Sequence, residues 1–228
     1  MNTTACRNPA QLARRVLASA AAIGALLAPS PSPAREAPKA GAPIVLPAPK
    51  SFAAAVAAIE KATGAKGADL ELQGKPLLAD EGRSFRIEGH VATRLIEGSH
   101  PTFLKAGLYL FRHERNFGMG GGLDVVGLIK TTDRDGLIRK VGTSDPGKKA
   151  TTDQIIAFLA GLEKDAPFAL EEIGEDFVAG HFTAVPKDPA AVAKRCAEFA
   201  PELIKGSGRA IDYLAEEIKA NRTLYLIW

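Results

Sequence analysis

Cysteine is almost absent from this chain, which removes one common way of holding a small exported fold together. Of the two cysteines, Cys6 lies in a leader-like segment and only Cys196 lies beyond it, so a processed chain has no internal disulfide. No positive charge is left over either. The formal +3 comes from Arg7, Arg14 and Arg15; without residues 1–34, Lys+Arg falls from 29 to 26 against 26 Asp+Glu. A balanced chain lacks the basic footprint that nucleic acid requires, and no nucleic-acid partner is expected. A membrane-length apolar run is also missing: Val16 to Ala28 has thirteen residues, short of the about 20 that a spanning helix needs.

Complete catalytic signatures are the next absence. Ser99, Ser144 and Ser207 do not occupy Gly-x-Ser-x-Gly, the sign of a serine nucleophile on a sharp strand-to-helix turn. The histidines His90, His100, His113 and His181 stand at no metal-ligand spacing, so neither a metal nor another cofactor is expected. Gly142-Thr-Ser-Asp-Pro-Gly147-Lys148 has the glycine and lysine spacing of a phosphate-binding loop. Lys149 stands where a hydroxyl should hold magnesium, and Thr151 caps the following helix, leaving Lys148 outside its first turn. A basic turn ahead of a helix is the plainer reading; Gly142 and Thr143 remain candidate binding residues. Gly118 to Gly122 reads as a long hairpin loop, with Gly120 and Gly121 as candidates for bringing backbone amides to an anion.

Three side chains are candidates for catalysis. His113, in His113-Glu114-Arg115, falls at a strand end beside the glycine loop, and Asp176 and His181 share one extended segment. Five residues apart on a regular strand, Asp176 and His181 point to opposite faces; a bulge at Gly180 would be needed to realign them. Cys196 lies on the stripe Val192, Cys196, Phe199, where a thiol packs as a small hydrophobe.

The order of residues 1–34, arginines, then a small apolar run, then Pro29-Ser-Pro-Ser-Pro-Ala34, is that of a secretory signal with cleavage after Ala34. Arg14-Arg15-Val16-Leu17 also fits a twin-arginine route. No cysteine follows at a lipoprotein position. A periplasmic or secreted location is therefore expected. Residues 35–50, rich in Pro and Ala, read as a linker, and 51–228 as a single domain.

Within that domain, Ser51 caps a helix carrying Phe52, Val56 and Ile59, ended by Gly64. Short strands are expected over Ala68 to Glu97, then strands at Leu108–Phe111, Leu123–Ile129 and Leu137–Val141, the last three as a meander. Thr151 and Gln154 form a capping box for a helix with Ile155, Ile156, Phe158, Leu159 and Leu162 inward. Phe168 to Val185 reads as extended chain broken at Gly174 and Gly180. Asp188-Pro189 opens a second helix, residues 210–220 form a third, and Thr223 to Trp228 a final strand. The expected class is α+β, a mainly antiparallel sheet with helices packed on one side.

The chain from about Phe103 onward resembles a bacterial family known as domain of unknown function 4253. Val141-Gly142-Thr143, Ile155-Ile156-Ala157-Phe158-Leu159, Pro167-Phe168, Glu175-Asp176-Phe177, Phe199-Ala200-Pro201-Glu202-Leu203-Ile204 and Leu224-Tyr225-Leu226-Ile227-Trp228 carry the resemblance. Members often show Phe-Cys-Pro-Asp where this chain has Phe199-Ala200-Pro201-Glu202, and a Trp-Trp-Asp ending where it has Ile227-Trp228. The resemblance implies a shared fold and no known activity. Lacking a complete catalytic constellation, the chain reads first as a non-catalytic binding or interaction module of the cell envelope, with a protein or small-molecule partner. The alternative is a hydrolase with its site near Asp176 and the Gly118–Gly122 loop. A toxin-related exported protein is compatible with the small size, but no residue selects it.

Overall fold

A computed structural model describes residues 41–116, 122–147, 150–205 and 211–228. The first helix, α1 (Phe52–Thr63), is capped by Ser51, whose hydroxyl accepts from Ala54 N, and stops at Gly64 in the left-handed region. Short strands β1 (Ala68–Asp69), β2 (Glu71–Leu72) and β3 (Lys75–Pro76) lead to β4 (Gly82–Ile87). Helix α2 (Gly89–Lys105) comes next, then β5 (Tyr109–Glu114) and β6 (Asp124–Ile129). Helices α3 (Arg134–Val141) and α4 (Thr152–Asp165) precede the hairpin of β7 (Phe168–Ile173) and β8 (Phe177–Phe182). Helices α5 (Pro189–Phe199), α6 (Glu202–Lys205) and α7 (Ile211–Asn221) lead into β9 (Thr223–Ile227).

Seven strands form one sheet in the order β1-β4-β6-β5-β7-β8-β9. Every neighbouring pair is antiparallel except β5–β7, so the mainly antiparallel α+β class holds. The helices are divided between the two faces rather than gathered on one. Tyr109, Leu110 and Phe111 are all buried, as are all six residues of β6, so both faces of the central strands need a cover. Leu110, Val126 and Leu128 pack with Phe52 and Ile59 of α1 and Leu95 and Phe103 of α2. On the opposite face Phe111, Leu170, Val178 and Leu224 pack with Leu137 of α3, Ile155 and Leu159 of α4 and Val192 of α5.

Two expected strands are helices. Residues 137–141 belong to α3, because Asp133 accepts from Gly136 N, Arg139 and Lys140 close the last turn, and Gly142 follows in the left-handed region at φ 80°. The expected meander is therefore not formed: β5 and β6 make a hairpin, and β4, not a strand at 137–141, pairs on the far side of β6. Residues 89–105 form α2, with Ala92, Leu95, Ile96, Ser99, His100 and Phe103 buried at helical spacing. Pro101 sits inside this helix on its exposed side. The capping box of α4 forms as expected, and Asp188 caps α5 with Pro189 in the first turn.

The stretch before α1 is tied to α2. Ile44 N donates to Arg94 O at 2.8 Å, Leu46 N donates to Ser99 Oγ at 3.0 Å, and Ser99 Oγ donates to Ile44 O at 2.7 Å. Gly98 permits this approach, since a Cβ there would lie 2.3 Å from Ile44 O. Leu46 joins the core under α1 and α2.

Candidate functional site

None of β7, β8 and β9 contributes to the core under α1 and α2. On that side these strands carry Glu171, Glu172, His181, Thr223 and Tyr225, which line a cleft of about 390 Å³ with Thr93, Ile96 and Glu97 of α2 and Arg112 and Arg115. Two bulges build it. On β5, Arg112 pairs with Val126 and Glu114 with Val125, leaving His113 as the extra residue. On β7, Leu170 pairs with Gly180 and Glu172 with Ala179, leaving Glu171 as the extra residue. A bulge re-aims the side chains around it. Thus Glu171 and Glu172, adjacent in sequence, both line the cleft, while Leu170 and Ile173 enter the opposite core.

The charged groups at its base are buried and interlocked. Arg112, 2% exposed, donates from Nη1 to Glu172 Oε1 at 2.8 Å and from Nη2 to Thr93 Oγ1 at 2.6 Å. Its Nε lies 3.1 Å from Asp124 Oδ2 but does not meet the angular requirement of a hydrogen bond, so this contact is an ion pair held by charge. Arg115 also reaches Glu172 Oε1, and Oε2 of Glu172 is left without a partner. Asp124 Oδ1 accepts from Asn116 N at 2.8 Å. Burial pushes the Arg112 guanidinium below its usual range, opposed by the Glu172 charge; a guanidinium nonetheless stays protonated in a protein.

Further up the wall, His181 Nδ1 lies 2.8 Å from Glu171 Oε2. The hydrogen bond to Glu171 raises the imidazole above its ordinary value, against a smaller opposing effect of burial; Glu97 and Glu172 add to the rise. The Arg115 guanidinium lies 6.0 Å from the centroid of the Tyr225 ring, and burial pushes the Tyr225 hydroxyl up. The site can thus hold fixed charge away from water and move one proton at His181.

The candidate residues inferred from sequence are dispersed. His181 is in the cleft, paired with Glu171. Asp176 lies in the β7–β8 turn, where its carbonyl accepts from Trp228 N at 3.0 Å and burial raises its carboxyl. His113 is buried, with Nδ1 3.2 Å from Ile173 O and its ring edge-on to Phe111 at 6.1 Å. Among the described residues no hydrogen bond or ion pair links Asp176 to either histidine. Thr143 is wholly buried and donates to Gly174 O at 2.7 Å, and Gly142 ends α3. Gly120 and Gly121 lie outside the described residues. No group of three or more potential metal-binding side chains occurs among the described residues. Cys196 is buried, and burial pushes its thiol up to about 12.

Several residues that carry the family resemblance hold one another in place. Trp228 N donates to Asp176 O at 3.0 Å, Phe158 stacks on Phe199 at 4.1 Å, and Phe199 meets Trp228 edge-on at 5.8 Å. Residues 125–228 match the family model of a domain of unknown function (DUF4253). The match starts at Val125, later than the expected Phe103. No curated protein and no solved structure matches the chain. The cleft crosses the edge of the DUF4253 segment: Glu171, Glu172, His181 and Tyr225 lie within it, and Arg112, Arg115 and the α2 wall precede it.

A larger hollow of about 910 Å³ lies beside α1, lined in part by Val56, Glu60, Asp80 and Lys130. Lys130 pairs with Asp80 at 3.5 Å with both side chains well exposed. It holds no buried charge, and the smaller cleft is the stronger site.

Proposed function

We propose that this protein is an exported, non-catalytic binding module of the cell envelope, and that the cleft beside α2 holds its small-molecule ligand. The observation that carries this reading is Glu172, 9% exposed, held by two guanidiniums on paired bulges at the base of the cleft. Fixed charges oriented in advance are how a small site gains specificity. Apart from the Tyr225 phenol, the hydroxyls lining the cleft are Thr93 and Thr223, and Thr93 is engaged with Arg112 and with Gly89 O. The order of residues 1–34 supports export, and no described helix is long and apolar enough to cross a membrane.

The test is a screen of small metabolites by amide-resonance shifts on residues 35–228. Binding that moves the His181 and Tyr225 resonances supports the reading; shifts confined to other surfaces sink it. For export, mass spectrometry of the mature protein should find Arg35 at its N-terminus, and loss of export in Arg14→Lys/Arg15→Lys would assign the twin-arginine route.

One observation favours a second reading, a hydrolase: the 2.8 Å contact of Glu171 with His181, in which the acid orients the imidazole as a general base for water. This pair supports it better than Asp176. Turnover of an ester or phosphodiester that disappears in His181→Ala and survives in Asp176→Asn would establish it.

A further inference from the structure

We infer that the cleft selects a small organic cation, an ammonium or amidinium head, over an anion. This rests on the cleft being the ligand site. Two arginines at the site suggest an anion hole, but both guanidiniums are committed, Arg112 to Glu172 and Asp124 and Arg115 to Glu172. Two fixed positive charges are thus balanced by two carboxylates. Glu171 and Glu97 remain on the wall. The Glu171 side chain is 12% exposed, with His181 as its ion-pair partner. The site therefore carries two negative charges in excess when His181 is neutral and one when it is protonated. Glu172 Oε2 adds a buried acceptor without a donor, and such an atom costs free energy until a donor reaches it. Carboxylates in excess, a lone acceptor and guanidiniums already ion-paired with carboxylates favour a ligand that brings N–H donors and positive charge.

The same wall makes binding depend on pH. His181 is faced by Glu97 from α2, Glu171 and Glu172 from β7, Arg112 from β5, Arg115 just beyond it and Tyr225 from β9. Its proton and the ligand's charge neutralise the same carboxylates, so each weakens the other. A cation binds more tightly as pH rises and His181 loses its proton, by at most about tenfold per pH unit, and it releases protons on binding.

Benzylamine and benzoate, alike in shape and opposite in charge, test this on residues 35–228. Benzylamine at millimolar concentration should shift the His181 and Tyr225 resonances and bind at least threefold more tightly at pH 8 than at pH 6, with benzoate leaving them unmoved. Glu171→Gln should weaken benzylamine roughly tenfold, and exposed Glu97→Gln, which spares the buried network, severalfold. His181→Ala should bind with little pH dependence. Benzoate binding in the cleft while benzylamine does not overturns the charge class and leaves the cleft reading standing. Equal affinity for benzylamine at both pH values overturns the competition with His181. Failure of both probes to move any cleft resonance overturns the cleft reading and this inference with it.

Discussion

Arg112 and Glu172 face each other across the sheet's parallel β5–β7 pairing, with Nη1 and Oε1 2.8 Å apart. Each stands beside the extra residue of a bulge, His113 in one strand and Glu171 in the other. Two local departures from the strand period are thereby joined by one buried ion pair, and the cleft depends on that junction.

Arg112→Met should destabilise the fold by about 3–5 kcal/mol, because it leaves the buried Asp124 carboxylate without its counter-charge and Glu172 with Arg115 alone. Equilibrium urea unfolding measures it. A loss below about 1 kcal/mol would mean that the network contributes little to stability.

The pH dependence of His181 has a definite sign. Its folded-state value is raised, so its contribution is fully present below the ordinary 6.5 and fades as pH rises through the folded value. The side chain is 41% exposed, so solvent screening keeps the effect small. NMR titration should show the imidazole titrating above pH 6.5 in the parent and lower in Glu171→Gln. An unchanged midpoint would remove Glu171 as the cause.

Thr143→Val deletes the donor to Gly174 O inside the core at nearly constant shape and should cost about 1–3 kcal/mol. Thr143→Ser keeps the hydroxyl and should recover part of the loss. If serine is no better than valine, the hydroxyl is not what the site uses.

Gly180→Ala places a Cβ 1.9 Å from Ala169 O, a backbone atom that cannot turn aside. The β7–β8 pairing must shift, at a cost of about 1–3 kcal/mol, with visible movement of the His181 resonance. A neutral substitution would show that this ladder yields more easily than its spacing suggests.

Cys196 should resist alkylation by iodoacetamide at pH 8 in the folded chain and react on unfolding, since burial holds its thiol at about 12. Ready labelling of the native protein would place the thiol outside the core.

Much of the framework is legible in residue order because it is written in local chemistry. Thr151 with Gln154 and Asp188 with Pro189 announce the starts of α4 and α5 through the backbone donors they satisfy or make unnecessary. The start of α3 is present too, but Thr132-Asp-Arg-Asp-Gly136 reads equally as a turn until Leu137, Ile138 and Val141 find a core. In α2, Gly89, Gly98 and Pro101 mask the spacing, and their reasons are tertiary: Gly98 admits the chain at Ile44. The cleft lies deeper. A strand of strict period two sends Glu171 and Glu172 to opposite faces, and only the bulge, fixed by pairing with β8, puts both at one site. His181 therefore meets Glu171 rather than Asp176.

The segment tied to α2 limits how far the N-terminus could be trimmed without loss to the core. Leu46 is 8% exposed, and the Ile44 carbonyl rests where Gly98 has no side chain. A processing protease that trims to Arg35 leaves this clasp whole. One that trims to Ser51 strips Leu46 from the smaller core and uncovers the backbone groove at Gly98. The permitted N-terminus of the working protein is thus set at Ile44 and Leu46, by contacts made some fifty residues further along the chain.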